Sequence, residues 1–191
     1  KVASIPKERM QVYFIDNEEY FKRKAIFTDE DDKLFEDNDE RAIFFAKGVI
    51  ETVKKLNWAP DIIHIHGWMA SLLPLYLKEF YKEEPLFTES KIVTSIYNND
   101  FDGMLNSSLV DKIKFDKIDA NKIALLKTPN HTNILKSAIK NSDAVIKGSE
   151  SISDELNSFI EDNSKPVLEY QTEENLTEAY LNFYANEVLA N

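Results

Sequence analysis

Between Pro60 and Gly67 the chain reads Asp-Ile-Ile-His-Ile-His, a short Ile-rich run with proline before it and glycine directly after. A near-continuous apolar run suits a strand buried on both faces, and Gly67 permits a sharp exit from it. The Ala70 to Tyr81 segment that follows is helical in composition. Leu72, Leu73, Leu75, Tyr76 and Leu77 supply apolar surface, and Pro74 is tolerable within a first turn. Strand, tight turn, helix is the resulting order. It returns further on, with short strands at Ile92 to Ile96 and Ala144 to Lys147 and helices at Thr132 to Asn141 and Ser151 to Glu161, the last capped by Ser151 or Ser153. Strands alternating with helices predict an α/β fold: a doubly wound, mostly parallel sheet with helices on both faces. Ligands of such sheets bind beyond the carboxyl ends of the strands, which singles out His64 to Met69, Tyr97 to Asp100 and Gly148 to Ser151.

The remaining segments are placed around that sheet. Val2 to Ile5 and Gln11 to Asp16 are β-prone, with a turn over Pro6 to Arg9, and predict a hairpin or two neighbouring strands. Asp37-Asn38-Asp39-Glu40 offers a helix start in which Asp37 accepts a backbone N–H bond and Glu40 reaches back as in a capping box. The helix that follows carries Ala42, Phe45, Val49, Val53 and Leu56 as its inward stripe and ends near Asn57. A last helix, Asn175 to Leu189, presents Leu176, Tyr180, Phe183, Tyr184 and Val188. Phe101 to Pro129 is polar and irregular and predicts no definite element.

Composition removes several function classes. With 23 Lys plus Arg against 34 Asp plus Glu, the formal charge is -11, a field that repels nucleic acid. No apolar run approaches the length needed to span a bilayer, so no membrane partner is expected. The absence of cysteine removes thiolate metal sites and thiol nucleophiles, and suits a cytoplasmic protein. Only 4 glycines are present, at positions too far apart for a Gly-rich phosphate loop. His64 and His66 are two apart on a strand and project from one face, a spacing that can bind zinc. A catalytic zinc needs about three protein ligands, and His131 is the one other histidine, in a different element, so no metal and no other cofactor is expected. No G-x-S-x-G pattern points to a serine hydrolase. The acidic runs Asp29 to Asp32 and Glu36 to Glu40 read as solvated surface, Asp37 excepted because it starts a helix.

Five stretches together carry a resemblance: VYFIDNEEY at Val12 to Tyr20, DNDERAIFF at Asp37 to Phe45, WAPDIIHIHGWMASLLPLYL at Trp58 to Leu77, SIYNN at Ser95 to Asn99 and AIKNSDAVIKGSESIS at Ala138 to Ser153. In this order they resemble the N-terminal half of bacterial glycogen and starch synthases, retaining glucosyltransferases of the GT-B fold. The resemblance implies the Rossmann-like, acceptor-side half of such an enzyme. The expectation is therefore one partial N-terminal domain over residues 1–191, with the second GT-B domain absent and the family's Lys-x-Gly-Gly loop upstream of Lys1. The family reaction it implies is glucosyl transfer from ADP-glucose or UDP-glucose to an α-1,4-glucan. The implied partners are then a glucan acceptor and a nucleotide-sugar donor, the donor held mainly by the missing segments.

The chain departs from the family's pattern where chemistry is expected. Gly67 stands in place of the motif Asp, Met69 in place of the motif His, and Tyr97 where the family usually has His. A thioether neither carries a proton nor donates a hydrogen bond, so Met69 does not replace imidazole. No catalytic residue is assigned on this basis, and this chain alone is expected to be inactive. The resemblance implies that His66, Trp68, Asn98, Tyr97 and Asp37 contact substrate, with Trp68 as an apolar platform and Asn98 as a hydrogen-bonding group. The alternative reading is a degenerate, non-catalytic module that binds glucan or regulates a partner.

Overall fold

The structure is a computed structural model that describes residues 1–99 and 101–190; Asp100, at the end of the turn expected after Ile96, lies outside the described residues. The hairpin forms: β1 (Val2–Ile5) pairs antiparallel with β2 (Met10–Tyr13), from Val2 opposite Tyr13 to Ile5 opposite Met10. A 3-10 turn over Pro6–Glu8 joins them, and Arg9 closes it in the left-handed region at φ 52°. One helical turn, α1 (Glu18–Phe21), precedes the long helix α2 (Asn38–Lys55). Then come β3 (Ile62–His66), α3 (Leu73–Leu75), β4 (Lys91–Ile96), α4 (Leu109–Phe115), α5 (His131–Asn141), β5 (Ala144–Lys147), α6 (Asp154–Asp162), β6 (Val167–Leu168) and α7 (Glu173–Phe183). The helix expected after Gly67 is composite: a 3-10 turn at Trp68–Ala70, α3, and a π turn at Tyr76–Phe80. A π turn over Tyr184–Val188 likewise continues α7.

Strands β3 to β6 lie side by side in chain order and all run parallel. Alternation along the strands divides their side chains between two layers. Ile65, Ile92, Ile96 and Val145 pack with α3, α5 and α6 through Leu73, Ile134, Leu135, Ile139, Leu156 and Ile160. Ile62, Val93, Ala144, Ile146 and Leu168 pack with Tyr180, Phe183, Tyr184 and Val188 of α7 and its extension. Helices thus cover both faces, as the alternation predicts, with the crossovers on one side and α7 on the other. No helix among the described residues is long and apolar enough to cross a membrane.

Four local expectations are corrected. Asp37 precedes α2, but its side chain makes no cap bond; its carboxylate accepts from both terminal guanidinium nitrogens of Arg23 instead. Glu40 does not reach back either, being held by Lys112 at 2.8 Å and by the Tyr20 hydroxyl at 3.2 Å. A guanidinium or ammonium adds the attraction of a full positive charge to the hydrogen bond, which a backbone N–H does not, so the cations win both carboxylates. The inward stripe of α2 is Ala42, Ala46 and Ile50, with Phe45 and Val49 half-buried beside it and Leu56 exposed. Small side chains at 42 and 46 let this helix approach the turn that begins at Trp68, which rotates the bulkier residues to the flanks. The irregular segment 101–129 is also ordered: it forms α4 and a 3-10 turn at Ala124–Lys127, and buries Leu105, Leu109, Ile113, Ile118, Ile123 and Leu126.

Candidate functional site

The carboxyl ends of β3, β4 and β5 bring His66, Tyr97, Asn98 and Gly148 together. His66 is exposed at the last position of β3, and its Nδ1 lies 2.6 Å from the Tyr97 hydroxyl. Tyr97 packs closely against Gly148, where an added Cβ would stand 2.4 Å from the ring. The Gly148 N–H donates to the Ile96 carbonyl at 2.8 Å. Asn98 is exposed, and its backbone N–H donates to Ser149 Oγ at 3.0 Å, leaving its amide side chain turned to solvent-accessible space. Glycine at 148 is therefore a packing requirement of the site, and Ser149 a partner of the Asn98 turn. Both residues fall in the Gly148 to Ser151 strand end that the sequence singles out, but their packing and turn roles depend on Tyr97 and Asn98, 51 positions earlier in the chain.

Behind His66 lies its neighbour on the same face. The imidazoles of His64 and His66 are 4.0 Å apart, centre to centre. His64 Nε2 lies 2.7 Å from Ser95 Oγ, and its Nδ1 lies 2.6 Å from the Tyr184 hydroxyl. Burial, with a smaller contribution from His66, lowers the His64 pKa to about 4. Partial desolvation lowers that of His66 as well. Both rings are accordingly neutral near pH 7. With both nitrogens of His64 engaged by hydroxyls, the H-x-H pair has a structural explanation, and no group of three or more His, Asp or Glu among the described residues is placed to hold a metal ion.

Trp68 and Asp37 occupy different surroundings. The indole of Trp68 is 4% exposed. It is wedged between Phe27 at 4.8 Å and Phe101 at 5.0 Å, and leaves little ring face free for a sugar. It nevertheless lines a cleft of about 500 Å³ formed with Ile26, Asp32, Asn99 and Asp102, next to the strand ends. Asp37 is tied to Arg23, whose hydrogen bonds hold its carboxyl below the usual range. Met69 is half-buried and packs into the core. A larger cavity of about 740 Å³, lined by Tyr20, Phe44, Lys47, Lys112 and Phe115 among others, contains none of the strand-end residues.

Gly67 has φ 76° and ψ 158°, a region open essentially to glycine alone. No atom lies within 4 Å of where its Cβ would be, so backbone conformation, not space, excludes other residues. Gly67→Asp, which would rebuild the family motif on paper, is expected to destabilise the chain by about 1–3 kcal/mol. Urea unfolding of the variant measures this; an unchanged midpoint would mean that the turn relaxes to accept a side chain.

Comparison with known proteins adds to this geometry. The family model described as the starch synthase catalytic domain matches residues 1–169. The glycogen synthase of Chlorobium luteolum is 37% identical over 161 residues, covering 82% of this chain and 32% of the relative. That of Chlorobaculum tepidum is 37% identical over 153 residues, 78% of this chain and 30% of the relative. That of Elusimicrobium minutum is 41% identical over 108 residues, 56% and 22% respectively. The chain spans about a third of the length of the first of these relatives.

Proposed function

Because this chain belongs to the starch synthase catalytic domain family, we propose that it is the acceptor-side part of a glucosyltransferase that moves glucose from ADP-glucose or UDP-glucose onto an α-1,4-glucan. The observation that carries this reading is the convergence of His66, Tyr97 and Asn98 at the carboxyl ends of β3 and β4, beside the cleft that Trp68 lines. Neutral His66 and the Tyr97 hydroxyl each donate and accept, which suits sugar hydroxyls, and the free amide of Asn98 adds two donors and an acceptor. Trp68 shapes the wall of the cleft through its packing on Phe27 and Phe101. Asp37 acts one step back, by fixing Arg23 and the start of α2. Donor binding falls to parts of the longer relatives that this chain does not match.

Native gels with and without embedded glycogen test the acceptor half of the proposal. The purified chain is expected to be retarded specifically, with retardation relieved by maltooligosaccharide. His66→Ala is expected to weaken the apparent affinity roughly 3- to 10-fold, the effect of about one or two lost hydrogen bonds. Migration of folded protein that glycogen leaves unchanged would overturn glucan binding by this piece. A second reading, a glucan-binding module without catalysis, is favoured by one observation: the motif Asp is replaced by a glycine whose backbone conformation excludes it. Retardation without incorporation of labelled glucose by the full-length protein would select that reading.

A further inference from the structure

We propose that helix α7 with its extension to Val188 is an acid-released latch on the sheet, held through neutral His64 and freed when that ring is protonated. The latch lies outside the 1–169 segment matched by the family model. It covers the sheet face that carries His64, and its contacts there are of two kinds. Phe183 and Val188 bury apolar surface against Val93, Ala144 and Ile146. Tyr184 places its hydroxyl 2.6 Å from His64 Nδ1. Tyr180 sits 6.0 Å from the same imidazole, centre to centre, and bonds Ser95, so the polar part of the contact centres on one histidine.

The groups that face His64 are His66 on its own strand, Ser95 of β4, and Tyr180 and Tyr184 of the latch, with Tyr97 beyond His66. Glu187, the carboxylate that follows Tyr184 on the helix, lines a separate cavity with Leu168 and Asn186. The hydrogen-bond partners described for the two imidazoles are hydroxyls, and none is a carboxylate that would stabilise an imidazolium. Protonation therefore puts a charge into a poorly solvated layer, and a second charge would stand 4.0 Å from the first. Undocking relieves both by admitting water.

The sign follows from linkage. The docked state holds the His64 pKa near 4, below the ordinary 6.5, so the released state binds protons more tightly. Docking is at full strength above pH 6.5, weakens as pH falls, and reaches its floor near pH 4. From His64 alone, the docking equilibrium at pH 5 is expected to be about 30-fold weaker than at pH 7.5.

Hydrogen exchange of the whole chain, read by mass spectrometry and corrected for the intrinsic effect of pH, measures this directly. Peptides from 173–188 should lose protection about 30-fold between pH 7.5 and 5, while those of α5 keep theirs. Equal protection at both pH values, or loss throughout the molecule together, overturns the latch. His64→Gln should flatten the pH profile. If that variant docks poorly at neutral pH, imidazole NMR of the unsubstituted chain decides: His64 must titrate with the midpoint of helix release. Titration without release, or release without titration, overturns the proposal.

Discussion

Lys112→Met is expected to destabilise the fold by about 3–5 kcal/mol. The cause is Asp39, whose side chain is 0% exposed in the first turn of α2. Its Oδ2 accepts from the Lys112 ammonium at 2.7 Å and from the Ser108 hydroxyl at 3.3 Å. Burial alone would lower the pKa of Lys112, but hydrogen bonds to Asp39 and Glu40 outweigh it and the pKa is raised. Removing the ammonium while keeping the apolar stem leaves a buried carboxylate with one hydroxyl for company, which is far more costly than losing an exposed pair. Denaturant unfolding at pH 7 measures the loss. Asp39→Asn combined with Lys112→Met should recover much of it, because no charge then remains to be compensated. A loss under about 1 kcal/mol for the single variant would mean that water reaches Asp39.

Ile113→Ala should remove about 2–5 kcal/mol. Ile113 lies in α4 and is fully buried, together with Leu109, among residues of α2 and α3. Phe115, two positions on, is 89% exposed. Phe115→Ala should therefore change stability by no more than about 0.5 kcal/mol. The contrast tests whether 101–129 is an integral part of the core or a surface insertion. Equal, small effects at both positions would favour the insertion, and a large effect at 113 alone the integral layer.

Why was that segment illegible beforehand? Its apolar residues, Leu105, Leu109, Val110, Ile113, Ile118, Ile123 and Leu126, are buried in short pieces separated by turns, with Lys117 in the left-handed region at φ 63°. No piece is long enough to establish a helical period, so the burial is a property of what packs above it. The stripe on α2 failed for a related reason. Phe45 and Val49 are more hydrophobic than Ala42 and Ala46, yet the latter face the core because only they allow close approach. Periodicity finds a face, but the neighbouring element selects its centre.

The candidate site divides the same way. His66, Tyr97 and Asn98 follow from strand ends, and strand ends were visible in the Ile-rich runs and the residues that stop them. That His66 and Tyr97 bond each other depends on the parallel register of β3 and β4, in which His66 is level with Ser95. The neighbours of Trp68 and Asp37, namely Phe27, Phe101 and Arg23, come from elsewhere in sequence and decide how much of each remains available.

By itself, then, the sequence determined the alternation of buried strands and amphipathic helices, the parallel α/β class, and the family signature. These rest on local composition and spacing, which a chain carries before it folds. Tertiary structure alone decided that Asp37 pairs with Arg23 instead of capping α2, that segment 101–129 enters the core, and that Tyr184 closes over His64 from 120 positions away. Each of these is a competition among groups distant in sequence for one partner or one volume, and only the folded chain brings the competitors together.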